Sequence, residues 1–115
     1  GWESRERLSL IERGPADLVL ALALMHHLVV GNNLSLGQLA GFFSRLCRRW
    51  LVIEFIPGDD PQMRQLVSTR QGSLEGYTQE AFEAVFGRLF AMARTVPLPA
   101  TGRTLYLMEQ RSSAA

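Results

Sequence analysis

Cysteine is almost missing from this chain. The single Cys47 excludes an internal disulfide framework, and one thiol suits a reducing cytoplasm. Long apolar runs are missing too. No segment reaches the ~18 consecutive apolar residues of a membrane-spanning helix, so no membrane partner is expected. The opening Gly1-Trp2-Glu3-Ser4-Arg5-Glu6-Arg7 has no signal-peptide character. Neither sign of charge is in excess: 12 basic side chains stand against 11 acidic ones, for a net charge of +1. That balance neither invites nor excludes an acidic partner. Internal repeats and low-complexity tracts are absent, and no G-x-S-x-G elbow supports a doubly wound hydrolase. What is present is an ordinary globular composition, 47% hydrophobic and 20% charged over 115 residues. This suffices for a single domain with one core. The chain opens on Gly-Trp without Met, which suggests a piece of a longer polypeptide.

The stretch that organises the rest is Asp17-Leu-Val-Leu-Ala-Leu-Ala-Leu-Met-His26-His27-Leu28. A continuous apolar run preceded by Gly14-Pro15 reads as a parallel strand over residues 17–24, covered on both faces. In open α/β sheets ligands sit beyond the carboxyl ends of such strands, which places residues 23–27 where chemistry would occur.

Ahead of that strand, residues 4–13 read as a short helix capped by Ser4 and closed by Gly14-Pro15. After it, Gly31-Asn32-Asn33 is a turn signal. Ser35 with Gln38 three residues on makes a capping box. The helix it opens carries Leu36, Leu39, Ala40, Phe43, Leu46 and Cys47 as its apolar stripe. Arg45, Arg48 and Arg49 complement the dipole at its end. Residues 50–56, β-branched and aromatic, form a strand that Pro57-Gly58 ends. Asp60-Pro61 caps a short helix to about residue 68, and residues 69–77 form a loop. Thr78 caps a further helix burying Phe82, Val85 and Phe86, closed by Gly87. Residues 89–97 and 103–110 are strands whose short connection requires antiparallel pairing. In the last, Leu105 and Leu107 face one way, Tyr106 and Met108 the other. The tail from Arg111 reads as frayed.

Helices between the first strands force parallel pairing by right-handed crossovers; the closing pair makes the far edge antiparallel. The fold class is therefore α/β: parallel strands with helices between them and an antiparallel C-terminal strand pair.

Several side chains have plain structural readings. Cys47 is a small buried hydrophobe. The Arg45, Arg48, Arg49 cluster beside Trp50 is a solvated helix end rather than a nucleic-acid patch. Phe42 and Phe43 are packing residues, Asp17 is a turn or capping residue, and Asp59-Asp60 is a loop plus cap. Glu54 interrupts an apolar strand at its carboxyl end, so it either pairs with an arginine or faces the ligand crevice.

This order of elements resembles the carboxyl-terminal half of a class I S-adenosylmethionine-dependent methyltransferase, whose last strand lies antiparallel between its two predecessors. The likeness rests on residues 17–28 as the family's fourth strand and following loop, and on Arg49-Trp-Leu-Val-Ile-Glu-Phe-Ile-Pro57 as its fifth. Tyr77-Thr-Gln-Glu-Ala-Phe82 resembles the helix leading into the final pair, and Gly102-Arg-Thr-Leu-Tyr-Leu-Met108 the final strand. It implies a three-layer, Rossmann-like half-sheet with helices on both faces, in which Ala23, Leu24 and Met25 border the cofactor and His26, His27 and Glu54 serve the methyl acceptor. A histidine there would line the acceptor pocket or act as a base; the structural alternative is that one packs or caps while the other meets solvent. Adjacent histidines alone do not make a metal site, since no spaced ligands complete the set.

One departure is large. None of the ten glycines forms a G-x-G-x-x-G run, and the family's acidic residue after its second strand is missing. The resemblance therefore implies a fragment, residues 1–115 being the C-terminal portion of a larger domain. Alone it should bind S-adenosylmethionine weakly or not at all and should be inactive. The competing expectation is a non-catalytic association module that forms a homodimer through the exposed apolar edge strand.

Overall fold

The computed structural model describes residues 16–31, 33–70 and 74–111. The expected helix over residues 4–13, its Gly14-Pro15 stop and the tail beyond Arg111 lie outside them.

Four strands, β1 (Ala16–Ala21), β2 (Cys47–Phe55), β3 (Phe90–Pro97) and β4 (Thr104–Gln110), form one sheet in the order β1-β2-β4-β3. β1 and β2 are parallel, with Val19 opposite Leu51 and Ala21 opposite Ile53. β4 runs antiparallel to both neighbours, with Ile53 and Thr95 each opposite Tyr106. The last strand thus lies between its two predecessors, as the resemblance implies. The α/β class and the mixed sheet stand.

The helices begin where side chains satisfy backbone N–H groups. In α1 (Leu36–Leu46) the Ser35 hydroxyl accepts from the Gln38 amide at 3.1 Å, and the Gln38 side chain accepts from the Ser35 amide at 2.9 Å. Both halves of the capping box are therefore closed. Asp60 opens α2 (Pro61–Arg70), its Oδ1 accepting from the Gln62 amide at 2.9 Å. Thr78 caps α3 (Gln79–Phe86) through the Ala81 amide at 3.0 Å.

α1 and α3 bury Leu39, Ala40, Phe43, Phe82 and Phe86 among Leu51, Ile53, Phe55, Tyr106 and Met108 of the sheet. β4 alternates strictly, Tyr106 and Met108 buried and Leu105 and Leu107 half-buried, as its sequence predicts.

Three expectations need correction. The first strand ends at Ala21, three residues short of the predicted boundary, because Ala23 turns left-handed with φ 56°. Coverage of that strand on both faces also fails: Leu18, Leu20 and Leu22 are 53%, 57% and 49% exposed. The alternate residues Val19 and Ala21 are buried in the core instead. Finally, β2 starts at Cys47 rather than Trp50, so Arg48 and Arg49 are strand residues and only Arg45 sits in the last turn of α1. The cause is pairing: Ala16 meets Cys47 and draws the chain straight from helix into sheet. Arg48 then pairs with Asp17 at 3.2 Å, and Arg49 lies 3.6 Å from Glu109 and 5.5 Å from the Trp50 ring centre. Cys47 is buried, and that burial raises its thiol pKa.

Candidate functional site

At the carboxyl ends of β1 and β2 the backbone of one strand meets a side chain of the other. The Ala23 amide donates to Glu54 Oε1 at 2.6 Å. A left-handed turn at a residue with a Cβ costs about 1–2 kcal/mol, and this charge-assisted hydrogen bond offsets part of it. The apolar β2 sequence carries Glu54 to the strand's end. There the main chain of the β1 turn comes within its reach.

The remaining oxygen of Glu54 faces Arg103, just ahead of β4, with Nη1 to Oε2 at 3.8 Å. Arg103 makes its stronger contacts elsewhere. Its Nε donates to Asp60 Oδ2 at 2.8 Å, and its Nη2 donates to Asp60 Oδ1 at 3.1 Å and to Gln62 Oε1 at 2.9 Å. This is a two-pronged guanidinium–carboxylate fork. Asp60 and Glu54 are nearly buried, with side chains 4% and 11% exposed, and Arg103 only slightly less at 17%. One cation therefore neutralises two carboxylates that close β2 and open α2. Nearby, the Tyr77 hydroxyl donates to the Ile56 carbonyl at 2.5 Å, and burial pushes its pKa upward.

The Arg103 hydrogen bond, aided by the Gln62 amide and opposed by desolvation, holds the Asp60 carboxyl below its ordinary value. The sign of the pH effect follows. The contribution is complete above the unfolded aspartate value of about 3.9 and is lost as pH falls through the lower folded value. Wild-type protein should therefore lose more thermal stability than Asp60→Asn between pH 7 and pH 3, read as the change in Tm. Equal losses would refute the assignment.

The predicted site residues separate into two groups. Ala23 is exposed, Leu24 is half-buried, and both stand with Glu54 at the sheet's edge. Met25 and His26 turn inward, 1% and 5% exposed, and Met25 belongs to the core. His27 is half-buried, and its ring lies 4.1 Å from that of His26 at 38°. It opens a π-helical turn (His27–Gly31) whose Leu28, Val29 and Val30 are all buried. Glu54 takes the arginine pairing of the two readings its sequence position allowed. Sequence reasoning missed Arg103 and Gln62 and saw only the capping role of Asp60. A buried carboxylate demands a cation, but nothing local to Gly102-Arg103-Thr104 marks Arg103 as that cation.

A cavity of about 440 Å³ lies elsewhere, between the starts of α1 and α3, lined by Leu34, Leu36, Tyr77, Ala81 and Val85 among others. None of Ala23, His26 or Glu54 lines it. Among the described residues no three His, Cys, Asp or Glu side chains converge on a metal-sized site, and no helix is long and apolar enough to cross a membrane.

No protein-family model matches the chain, and no solved structure matches it. A curated protein does: over 110 residues, 96% of this chain, it is 32% identical to the "Nodulation protein NoeA" of Rhizobium meliloti (strain 1021). The chain spans 23% of the length of that relative.

Proposed function

We propose that this chain is the C-terminal part of an S-adenosylmethionine-dependent methyltransferase of the cytoplasm, in which it borders the cofactor and shapes the methyl-acceptor pocket. The observation that carries the reading is the strand order β1-β2-β4-β3, with β4 antiparallel between β2 and β3 and a parallel pair before them. A C-terminal hairpin placed after β2 would most simply dock on it by its first strand, leaving the second at the edge. Insertion of its second strand beside β2 is a specific topology, and it is the one the resemblance requires.

The chain's own residues fit the cofactor only in part. Ala23 and Leu24 offer a small apolar wall at the strand ends. The carboxylate at this edge, Glu54, already accepts from Ala23 and faces Arg103, so it does not stand ready to accept ribose hydroxyls. No glycine-rich turn lets a backbone approach the ligand closely. The cofactor's main contacts would belong to a preceding half of the sheet. The half-exposed Leu18, Leu20 and Leu22 agree with this, because parallel strands are ordinarily covered on both faces. In the three-layer Rossmann-like arrangement, helices of that half would cover them. A match to about a quarter of a longer relative accommodates the reading. The methyl acceptor would approach from the side of His27 and the segment after β2.

The same three leucines favour one alternative, a non-catalytic module that associates through the β1 edge, as a homodimer in the simplest case. Calorimetric titration with S-adenosylmethionine separates the two. The 115-residue chain should show no saturable binding, and a polypeptide extended upstream should show it. Tight binding by the chain alone would contradict the half-sheet account. Absence of binding by the extended polypeptide would leave the association module.

A further inference from the structure

We propose that Arg103 is a positioning residue for the turn after β1: through Glu54 it fixes the backbone that carries Ala23, Leu24 and Met25 to the sheet's ligand edge. That these residues border a cofactor rests on the reading above; the mechanical coupling does not.

The coupling runs through three contacts. Ala23 holds a left-handed φ of 56° and donates its amide to Glu54 Oε1 at 2.6 Å. A side chain as long as glutamate has several rotamers at a strand end, and only an orientation toward β1 meets that amide. The Arg103 guanidinium supplies the bias, with Nη1 3.8 Å from Glu54 Oε2. Arg103 cannot itself swing away. Asp60 holds two of its nitrogens at 2.8 and 3.1 Å, and Gln62 takes a third hydrogen bond at 2.9 Å. Asp60 in turn is fixed as the cap of α2 by the Gln62 amide. The order of support is therefore α2 cap, Arg103, Glu54, Ala23. It joins the start of α2 and the residue ahead of β4 to a turn distant from both in sequence.

Arg103 touches no residue of the turn directly by any of these bonds, which makes the idea separable from ordinary stabilisation. Hydrogen exchange by mass spectrometry on the 115-residue chain reads it, with uptake in a peptide spanning residues 22–28 divided by uptake in peptides of β2 and β4. The ratio removes global opening, which accelerates every segment together. Glu54→Ala, which leaves the Arg103–Asp60 fork in place, should raise the ratio by about tenfold. Arg103→Lys keeps a cation but loses the fork, and should raise it by about threefold or more. The double variant should match Glu54→Ala within about twofold, because coupled residues do not act additively. An unchanged ratio in Arg103→Lys, or effects that multiply in the double variant, would overturn the proposal. Neither outcome depends on S-adenosylmethionine, so failure of the methyltransferase reading would leave this result standing and interpretable.

Discussion

Replacing Phe82 with alanine should lower the unfolding free energy by about 3–5 kcal/mol, the range for large aromatic truncations in a packed core. Phe82 is fully buried, and its ring centre lies 5.1 Å from Phe55, 4.5 Å from Phe86 and 5.0 Å from Tyr106. It is the point where α3 meets both β2 and β4. Leaving a cavity there removes the transfer free energy of the ring and the dispersion contacts of three aromatic neighbours. A domain of this size has about 5–15 kcal/mol in total, so the loss is a large share of it. Urea unfolding followed by far-UV circular dichroism checks this: the midpoint should fall with little change in slope. A loss under about 1 kcal/mol would mean that Phe82 is not the junction described.

The second large effect belongs to Arg103. Arg103→Met keeps much of the side chain's length and apolar stem but removes the only cation hydrogen-bonded to Asp60 among the described residues. Asp60 and Glu54 would then both stand nearly buried without it. Breaking a buried pair by deleting one partner costs about 3–5 kcal/mol. The lower end, about 3 kcal/mol, is expected here because Arg103 is 17% exposed and water partly screens the site. The loss should be largest at neutral pH and should shrink in acid as Asp60, whose carboxyl Arg103 holds below its ordinary value, protonates. Urea midpoints at pH 7 and pH 3 measure it. A variant equally destabilised at both values would show that the arginine's packing matters, and not its charge.

How much of this could be read from the chain depends on whether the deciding interaction is local. α1 was legible because both partners of its capping box, Ser35 and Gln38, lie within one turn. β4 was legible from its alternation, which the sheet reproduces residue by residue. The boundary between α1 and β2 was not, since Cys47-Arg48-Arg49 continues a helical pattern and only pairing with β1 pulls it into the sheet. The turn His27–Gly31 carries β-branched valines and no helical signature; burial of Leu28, Val29 and Val30 creates it. At the site, a lone carboxylate ending an apolar strand was visible as an anomaly that needed a cation. Its supporting fork spans 43 residues between Arg103 and Asp60, and no periodicity or spacing rule reaches that far. The strand order became readable only through family likeness, because composition alone permits either strand of the C-terminal hairpin to dock on β2.

The central seat of β4 bears on how the chain is made. A ribosome delivers β1, β2 and β3 first, and no pairing joins β2 to β3 in the finished sheet. Until Thr104–Gln110 emerges, β2 has one bare flank and β3 has no neighbour among the described strands. Closure of this sheet therefore waits on β4, and a nascent chain stalled before it leaves both the β2 flank and the β3 flank that β4 fills unpaired. During that interval chaperone cover matters most.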